Sequence, residues 1–425
     1  MKKYLITLLV LLSKFLTAQK SEICTCNLLK KSEDSVNTIH SKYKFRPVSK
    51  ATARKPPFSF VSITYLQKSA NSQNIVDSVE MKINNIVNKT IPDTLHDAYK
   101  IRDSIERLEY SKKYGDIPKP VIIKTGKLNG MLAILYRTRS YFQAKYYIRI
   151  SKDNGETWKN YFTGLESNKN YIFKSNSQYP LWKDENNIQI EADIVRMIEE
   201  PGFPSRPEPE YEIVNNNALI TLNLIEILKD SDHDGVNNLE EQLIYFTNPL
   251  SKDTDSDGIS DFEDENPRYK NNDYDFTKLI EAIRFGDYPI TENSDLTTDE
   301  FMVNVASVRK DIQNQMQSRE SFSKPHINSF LDSLDLRVIA TDDENIRRMK
   351  TYGEKTIFLT SNEYKKYSKY HYTISDQPHY SKIFKCDDKK DTYILMFDGL
   401  VSGETYIITK TPKGWLIKIV NRWMT

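Results

Sequence analysis

Lys229-Asp230-Ser231-Asp232-His233-Asp234-Gly235-Val236-Asn237-Asn238-Leu239-Glu240-Glu241 is answered 23 residues later by Lys252-Asp253-Thr254-Asp255-Ser256-Asp257-Gly258-Ile259-Ser260-Asp261-Phe262-Glu263-Asp264. The two segments match position by position: Asp at three alternate places, then Gly, then an apolar residue. Self-similarity at a fixed spacing marks a repeated structural unit. The repeat also divides the chain. Strand patterns dominate before it, and mixed helix and strand patterns follow it. The expected fold is therefore multidomain α+β: a small sandwich-like antiparallel β domain, a short loop-repeat segment, and a C-terminal α+β domain with an antiparallel meander.

The spacing carries chemistry. Between Asp230 and Glu265, Lys252 is the only Lys or Arg. At surface-like dielectric each close carboxylate pair costs roughly a few kcal/mol, so a cation or an open, solvated chain must relieve it. Calcium takes about six to eight oxygens at roughly 2.3–2.6 Å. Carboxylates at alternate positions of a tight loop converge on one centre, which makes Asp230, Asp232 and Asp234, and then Asp253, Asp255 and Asp257, the expected ligands. Gly235 and Gly258 stand where the chain turns through a conformation costly for a residue with a Cβ. The carbonyls of Val236 and Ile259 come next. Asn238 and Asp261, at loop position nine, can ligate directly or through water. Glu241 and Asp264, at position twelve, close each cage. His233 sits at a non-ligand position, expected to face solvent, and Leu239 and Phe262 are expected to pack the loop exits. A solvated acidic linker is the plainest competing reading. Magnesium is another, although it prefers few protein ligands and retained water.

The pair resembles thrombospondin type 3 repeats, as found in exported bacterial proteins. Thr247-Asn248-Pro249-Leu250 is similar to the linker of those arrays. The resemblance covers about 40 residues, implies calcium at the positions just named and implies nothing about the flanking domains. The match departs at Asn238, where Asp is usual, and the array has only two units. An EF-hand is the nearest competitor, but it usually places an apolar residue at loop position eight, where this chain has Asn237 and Ser260.

Outward from the repeat, residues 118–228 read as the β domain. Val121–Lys124, Met131–Tyr136 and Tyr146–Ile150 are rich in β-branched and aromatic residues, with turn chemistry at Asn129-Gly130. Ile188–Ile198 and Ala218–Ile227 continue the strands, and the proline-rich Pro201–Pro209 reads as a loop or edge. Residues 20–117 read as a polar lead-in followed by helices near Asn74–Asn88 and Thr94–Lys113. Downstream, residues 268–425 form the C-terminal domain. Capping-box spacings at Thr297–Glu300 and Thr360–Glu363 predict helices, the first running through Met316. Thr392–Phe397, Glu404–Thr411 and Trp415–Trp423 predict the closing meander, with the helices as its cover.

The remaining signals bound the function. With 425 residues, 38% apolar and 28% charged, the chain is ordinary globular material. A net charge of +1 gives no electrostatic case for nucleic acid. Met1–Gln19 has the basic start, short apolar core and small residues of a secretory signal. Its apolar run is too short to span a bilayer, and Cys24 lacks a lipobox. A secreted, periplasmic or cell-surface location follows. Cys24, Cys26 and Cys386 read as no disulfide framework, with a single bridge or metal capture by Cys24-Thr25-Cys26 as the alternatives. Ser151-x-Asp153-x-Gly155-x-Thr157-Trp158 matches the Asp box, which resembles the hairpin turns of sialidase propellers. Only one copy is present. No His-Glu-x-x-His, Gly-x-Ser-x-Gly or phosphate loop appears, and His326, His371 and His379 are scattered. Tyr364, Tyr367, Tyr370 and Tyr372 form either a stacking patch or the face of an amphipathic helix. The leading expectation is a non-enzymatic, calcium-binding surface or periplasmic scaffold whose partner is an unknown protein or glycan. The alternative is a glycan-acting hydrolase with its site in the β or C-terminal domain.

Overall fold

The computed structural model describes residues 49–66, 117–138, 145–166, 170–199, 210–286, 291–292, 299–322, 336–353, 355–370, 379–399 and 402–424, with a few isolated positions before 117. The expected secretory signal at Met1–Gln19, Cys24, Cys26, both expected helices before residue 114, the proline-rich stretch, His326 and His371 lie outside them.

The first domain opens with a short helix α1 (Lys50–Ala53) and strand β1 (Val61–Tyr65), then runs through β2 (Ile122–Leu128), β3 (Met131–Arg137), β4 (Lys145–Ser151), β5 (Lys159–Glu166), β6 (Tyr171–Phe173), β7 (Trp182–Asp184), β8 (Asn187–Glu199) and β9 (Glu210–Asn223). They make two antiparallel sheets. One is ordered β2-β3-β4-β5, the other β1-β9-β8-β6 with β7 on β8. Asn129 and Gly130 both take positive φ, closing the two-residue β2–β3 hairpin, as Asn-Gly favours. Ala133, Leu135, Ile148 and Ile150 of one sheet meet Ile188, Ile190, Ile220 and Leu222 of the other in a shared core. The β domain is thus a sandwich.

Two boundaries differ from expectation. β1 comes from the stretch read as a polar lead-in and pairs along β9 from Val61↔Leu222 to Tyr65↔Ala218. The last expected strand ends at Asn223, whose side chain accepts the amide of Ile225 (2.9 Å) and starts helix α2, Leu224–Ile227. The apolar run hid that stop because strand and helix alike bury Leu222, Leu224 and Ile227.

The run Met131–Tyr136 is continuously apolar rather than alternating, which fits a strand covered on both faces. Ile134, Tyr136, Tyr147 and Phe162 point away from the sandwich core into a second one. There they meet Val236, Ile244 and Tyr245 of the repeat segment, and Val338, Ala340, Ile357, Leu359, Tyr364 and Tyr367 from downstream.

Those downstream residues belong to a domain built on a nine-stranded sheet with flanking helices. Its elements are α4 (Asp275–Phe285), β10 (Thr291–Glu292), β11 (Asp299–Val303), α5 (Val308–Phe322), β12 (Arg337–Ala340), α6 (Glu344–Arg347), β13 (Thr356–Leu359), α7 (Ser361–Tyr370), β14 (His379–Tyr380), β15 (Phe384–Lys385), β16 (Thr392–Asp398), β17 (Ser402–Thr411) and β18 (Gly414–Met424), and α3 (Asn238–Glu240) lies in the repeat. The expected meander is β16-β17-β18, extended by β11 on one side and, through β14, by the parallel pair β12/β13 on the other. Leu279, Ile280, Val308, Ile312 and Ile346 of the helices cover one face. The capping spacing at Thr297–Glu300 starts no helix: Asp299–Val303 pairs with β18 instead, and the helix begins at Val308. Local cap chemistry lost to the cross-strand partners Ile417 and Ile419. The second capping box holds. Thr360 N donates to Glu363 Oε2 (2.9 Å), and Glu363 N to Thr360 Oγ1 (3.3 Å).

Candidate metal centre

The two acidic segments fold alike. In each, the amide of position nine returns to the carbonyl preceding position one: Asn238 N to Lys229 O (2.8 Å) and Asp261 N to Lys252 O (2.9 Å). His233 and Ser256 at position four, and Gly235 and Gly258 at position six, take positive φ at matching places. Only Gly adopts the position-six value of about +100° without strain. The amide of position twelve reaches the carbonyl of position eight in both, Glu241 to Asn237 (3.1 Å) and Asp264 to Ser260 (2.8 Å).

Carboxylates shape these loops through one oxygen each, except Asp253, whose Oδ2 also accepts Gly258 N (2.8 Å). Asp230 Oδ1 accepts His233 N (2.8 Å), Asp232 Oδ1 accepts Asp234 N (3.2 Å) and Asp234 Oδ1 accepts Val236 N (2.7 Å). In the second loop Asp253 Oδ1 accepts Ser256 N (2.9 Å), Asp255 Oδ1 accepts Asp257 N (3.1 Å) and Asp257 Oδ1 accepts Ile259 N (2.9 Å). These turns draw each Asp triplet together, with ligand oxygens within 4.8 Å of one another. The second oxygens are the telling ones. Asp232 Oδ2, Asp234 Oδ2, Asp255 Oδ2 and Glu241 Oε2 are buried without any hydrogen-bond donor. A buried carboxylate oxygen lacking a donor costs several kcal/mol unless a cation meets it. The donor set is all hard oxygen, which fits calcium and not a thiophilic metal.

Electrostatics agree. Burial first, then the neighbouring carboxylates, pushes Asp234 up to about 6, Asp255 up to about 7 and Glu241 up to about 8. Asp261 and Asp264 are raised for the same leading reason. A solvated acidic linker would leave these groups exposed, whereas Glu241 has no exposed surface and Asp261 is 1% exposed.

The expected ligands do not all serve alike. The side chains at position nine are engaged with position two. Asn238 Oδ1 accepts Ser231 N (2.9 Å), and Asp261 Oδ1 accepts Thr254 N (2.9 Å). They tie each loop shut, a role the spacing did not reveal. Val236 and Ile259 stand at position seven, the first buried and the second exposed. His233 is exposed, as expected. Leu239 packs against both cores of the β domain, while Phe262 stays largely exposed and lies over Gly235 of the first loop. No strand joins the loops, and residues 248–252 before the second loop contain no helix. Both features depart from a paired EF-hand.

Several residues the sequence reading passed over clamp this segment in place. Asn237 Nδ2 donates to Phe162 O (2.9 Å) and Ile227 O (2.8 Å), stitching loop one to β5 and α2. Tyr147 donates to Glu240 Oε1 (2.8 Å) inside the seam. On the other side, Lys355 Nζ donates to the carbonyls of Asp261 and Phe262 (2.7 Å each), and Asn266 Nδ2 to those of Arg347 and Met349 (2.9 and 3.2 Å). Thr356 N donates to Glu265 O (2.8 Å), so the loop exit covers the outer edge of β13, an edge otherwise open to pairing. The signal for Asn237 was its polarity at position eight. Lys355 gave no local signal, since its partners lie more than 90 residues away.

Other candidates resolve into structure. The Asp box forms the β4–β5 turn. Asp153 accepts Thr157 N (2.8 Å), the Thr157 hydroxyl and the Ser151 hydroxyl (2.7 Å), and Trp158 Nε1 donates to Gly155 O (3.1 Å). Those hydrogen bonds, led by Thr157, hold Asp153 far below the usual carboxylate range. The turn sits in a sandwich rather than a propeller blade. Tyr364 and Tyr367 are buried in the seam, which makes them the core face of α7 and not a stacking platform. Cys386 is buried, and His379 is buried with its ring against Tyr364. Among the described residues, no helix is long and apolar enough to cross a membrane. No protein family, curated protein or solved structure matches the chain.

Proposed function

We propose that this is an exported calcium-binding protein whose two Asp loops hold the join between the sandwich and the C-terminal domain. The observation that carries this reading is the set of buried carboxylate oxygens without donors at Asp232, Asp234, Glu241 and Asp255, set in a segment whose apolar residues belong to the core shared by both domains. In loop one Asp230, Asp232, Asp234, Val236 and Glu241 would hold the ion. In loop two Asp253, Asp255, Asp257, Ile259 and Asp264 would do so. The ion supplies charge neutralisation and cross-linking rather than catalysis. This remains the thrombospondin type 3-like reading of the sequence. The secretory N-terminus supports an exported location, where millimolar calcium would fill extracellular modules with Kd of about 10⁻⁴–10⁻³ M.

A scaffold or binding role, with a protein or glycan partner at the cell surface, fits a chain whose acidic motifs all serve architecture. The Asp box spends its hydrogen bonds on its own turn, so it lends the glycan-hydrolase alternative no support. Isothermal titration calorimetry of the full chain with calcium tests the reading. We expect saturable binding near two ions per chain, with much weaker magnesium binding. No heat above dilution at millimolar calcium would end it.

A further inference from the structure

The two loops end differently at position twelve. Loop one closes with Glu241, and loop two with Asp264, a side chain one methylene shorter. The shorter arm leaves more of the work of placing the carboxylate to the backbone around it.

That backbone is held by the C-terminal domain. Lys355, just ahead of β13, donates from Nζ to the carbonyls of Asp261 and Phe262 (2.7 Å each). Its ammonium lies 4.7 Å from the Tyr245 ring centre and 5.9 Å from that of Phe262, enclosed by the segment it grips. Past Asp264, Thr356 N donates to Glu265 O (2.8 Å) and Gly353 N to Glu265 Oε1 (2.8 Å). Asn266 Nδ2 donates to the carbonyls of Arg347 and Met349, and Asn266 N donates to Asp264 Oδ1 (2.9 Å). Asp264, 5% exposed, is thus bracketed: the residues before it and after it are fixed by 347–356. Loop one is gripped by the sandwich instead, through Asn237 and Glu240. An ammonium beside a cation site opposes binding by its charge. Any favourable effect of Lys355 on such a site therefore has to come through the two carbonyls.

We propose that Lys355 is a positioning residue for the cation of loop two. By fixing the Asp261 and Phe262 carbonyls it forms one arm of the bracket that sets Asp264, and it makes the affinity of that site depend on the C-terminal domain. This rests on the calcium reading above. Coupling of this kind is reciprocal, so an ion in loop two tightens the docking of the C-terminal domain on the repeat.

The test is calcium titration by calorimetry on the full chain in two backgrounds. Asp232→Ala leaves loop two to be measured, and Asp255→Ala leaves loop one. Adding Lys355→Met, which removes the donor and keeps an unbranched chain, is expected to weaken loop two by about tenfold or more and loop one by less than about twofold. Lys355→Arg, which restores donors and charge, is expected to recover most of the loss. Loop two unchanged or tightened, the result that removing a repelling charge alone would give, overturns the proposal. Equal weakening of both loops also overturns it, since that reports a general loosening of the fold. Circular dichroism verifies folding of each variant. Should Lys355→Met or either background fail to fold, Asn266→Ala in the otherwise unchanged chain is read by two-site titration. One site weakened about tenfold with the other unchanged supports the bracket; neither weakened, or both equally, contradicts it. A silent wild-type titration is a separate result, because it removes the calcium reading itself and this proposal with it.

Discussion

At the scale of single residues, Glu241 states the account most sharply. Its carboxylate has no exposed surface and one oxygen without a donor. Glu241→Gln therefore has opposite effects in two conditions. It is expected to raise the melting temperature of the metal-free chain at pH 8, by removing a buried charge, and to weaken calcium binding by removing a ligand. Thermal melts in chelator and in calcium check both signs. A variant that lowers stability in chelator contradicts the picture. The pH dependence follows from the same groups. Carboxyls pushed up to about 6, 7 and 8 at Asp234, Asp255 and Glu241 bind protons more tightly folded than unfolded. Acid therefore favours the metal-free fold, and that contribution is lost as pH rises through those values. Calcium should raise the melting temperature more at pH 8 than at pH 5. An equal or larger rise at pH 5 would count against these assignments. The alternating Asp positions and the Gly turns were legible from spacing alone. The clamps at Lys355, Tyr147 and Asn266 were not, because each binds a partner far away in sequence.

At the scale of elements, local chemistry decided some boundaries and yielded at others. The capping box at Thr360 and Glu363 starts α7 as its spacing promised, and Thr360→Ala is expected to cost about 1 kcal/mol by urea denaturation. A cost indistinguishable from zero would mean the Arg268–Glu363 ion pair alone fixes that helix start. The same spacing at Thr297 gave a strand, since pairing of Phe301 and Val303 with Ile417 and Trp415 outweighed a cap. Strands β3, β4, β8, β16, β17 and β18 were readable because period-two or continuous apolar runs report burial directly. β1 was not, lying in a segment whose surrounding polarity masked Val61 and Ile63. The Asp box shows a motif that is locally complete: its hydrogen bonds close within residues 151–158. Asp153→Ala is expected to lower the melting temperature by the same amount with and without calcium. A calcium-dependent difference would tie the hairpin to the metal segment.

At the scale of the molecule, the sheet β2-β3-β4-β5 is covered on both faces, by its sandwich partner and by the seam. The seam is built from three pieces of chain, and the repeat supplies the middle one. Four buried rings there, Tyr147, Phe162, Tyr364 and Tyr367, each contribute on the order of 2 kcal/mol by burial. Tyr147→Phe, which removes a hydrogen bond to buried Glu240, is expected to cost about 1–3 kcal/mol by urea denaturation. The sequence disclosed an acidic repeat between a strand-rich and a mixed segment, but not that it forms one core with both, because the contact pairs residues near 147, 244 and 364. If cations hold the segment's carboxylates together, each site filled at about ten times its Kd adds about 1.4 kcal/mol. The most direct measurement is differential scanning calorimetry of the full chain in chelator and in millimolar calcium, with magnesium as control. The account predicts that calcium, and not magnesium, raises the transition by several degrees and merges the melting of the two domains. Identical traces in chelator and calcium would contradict it.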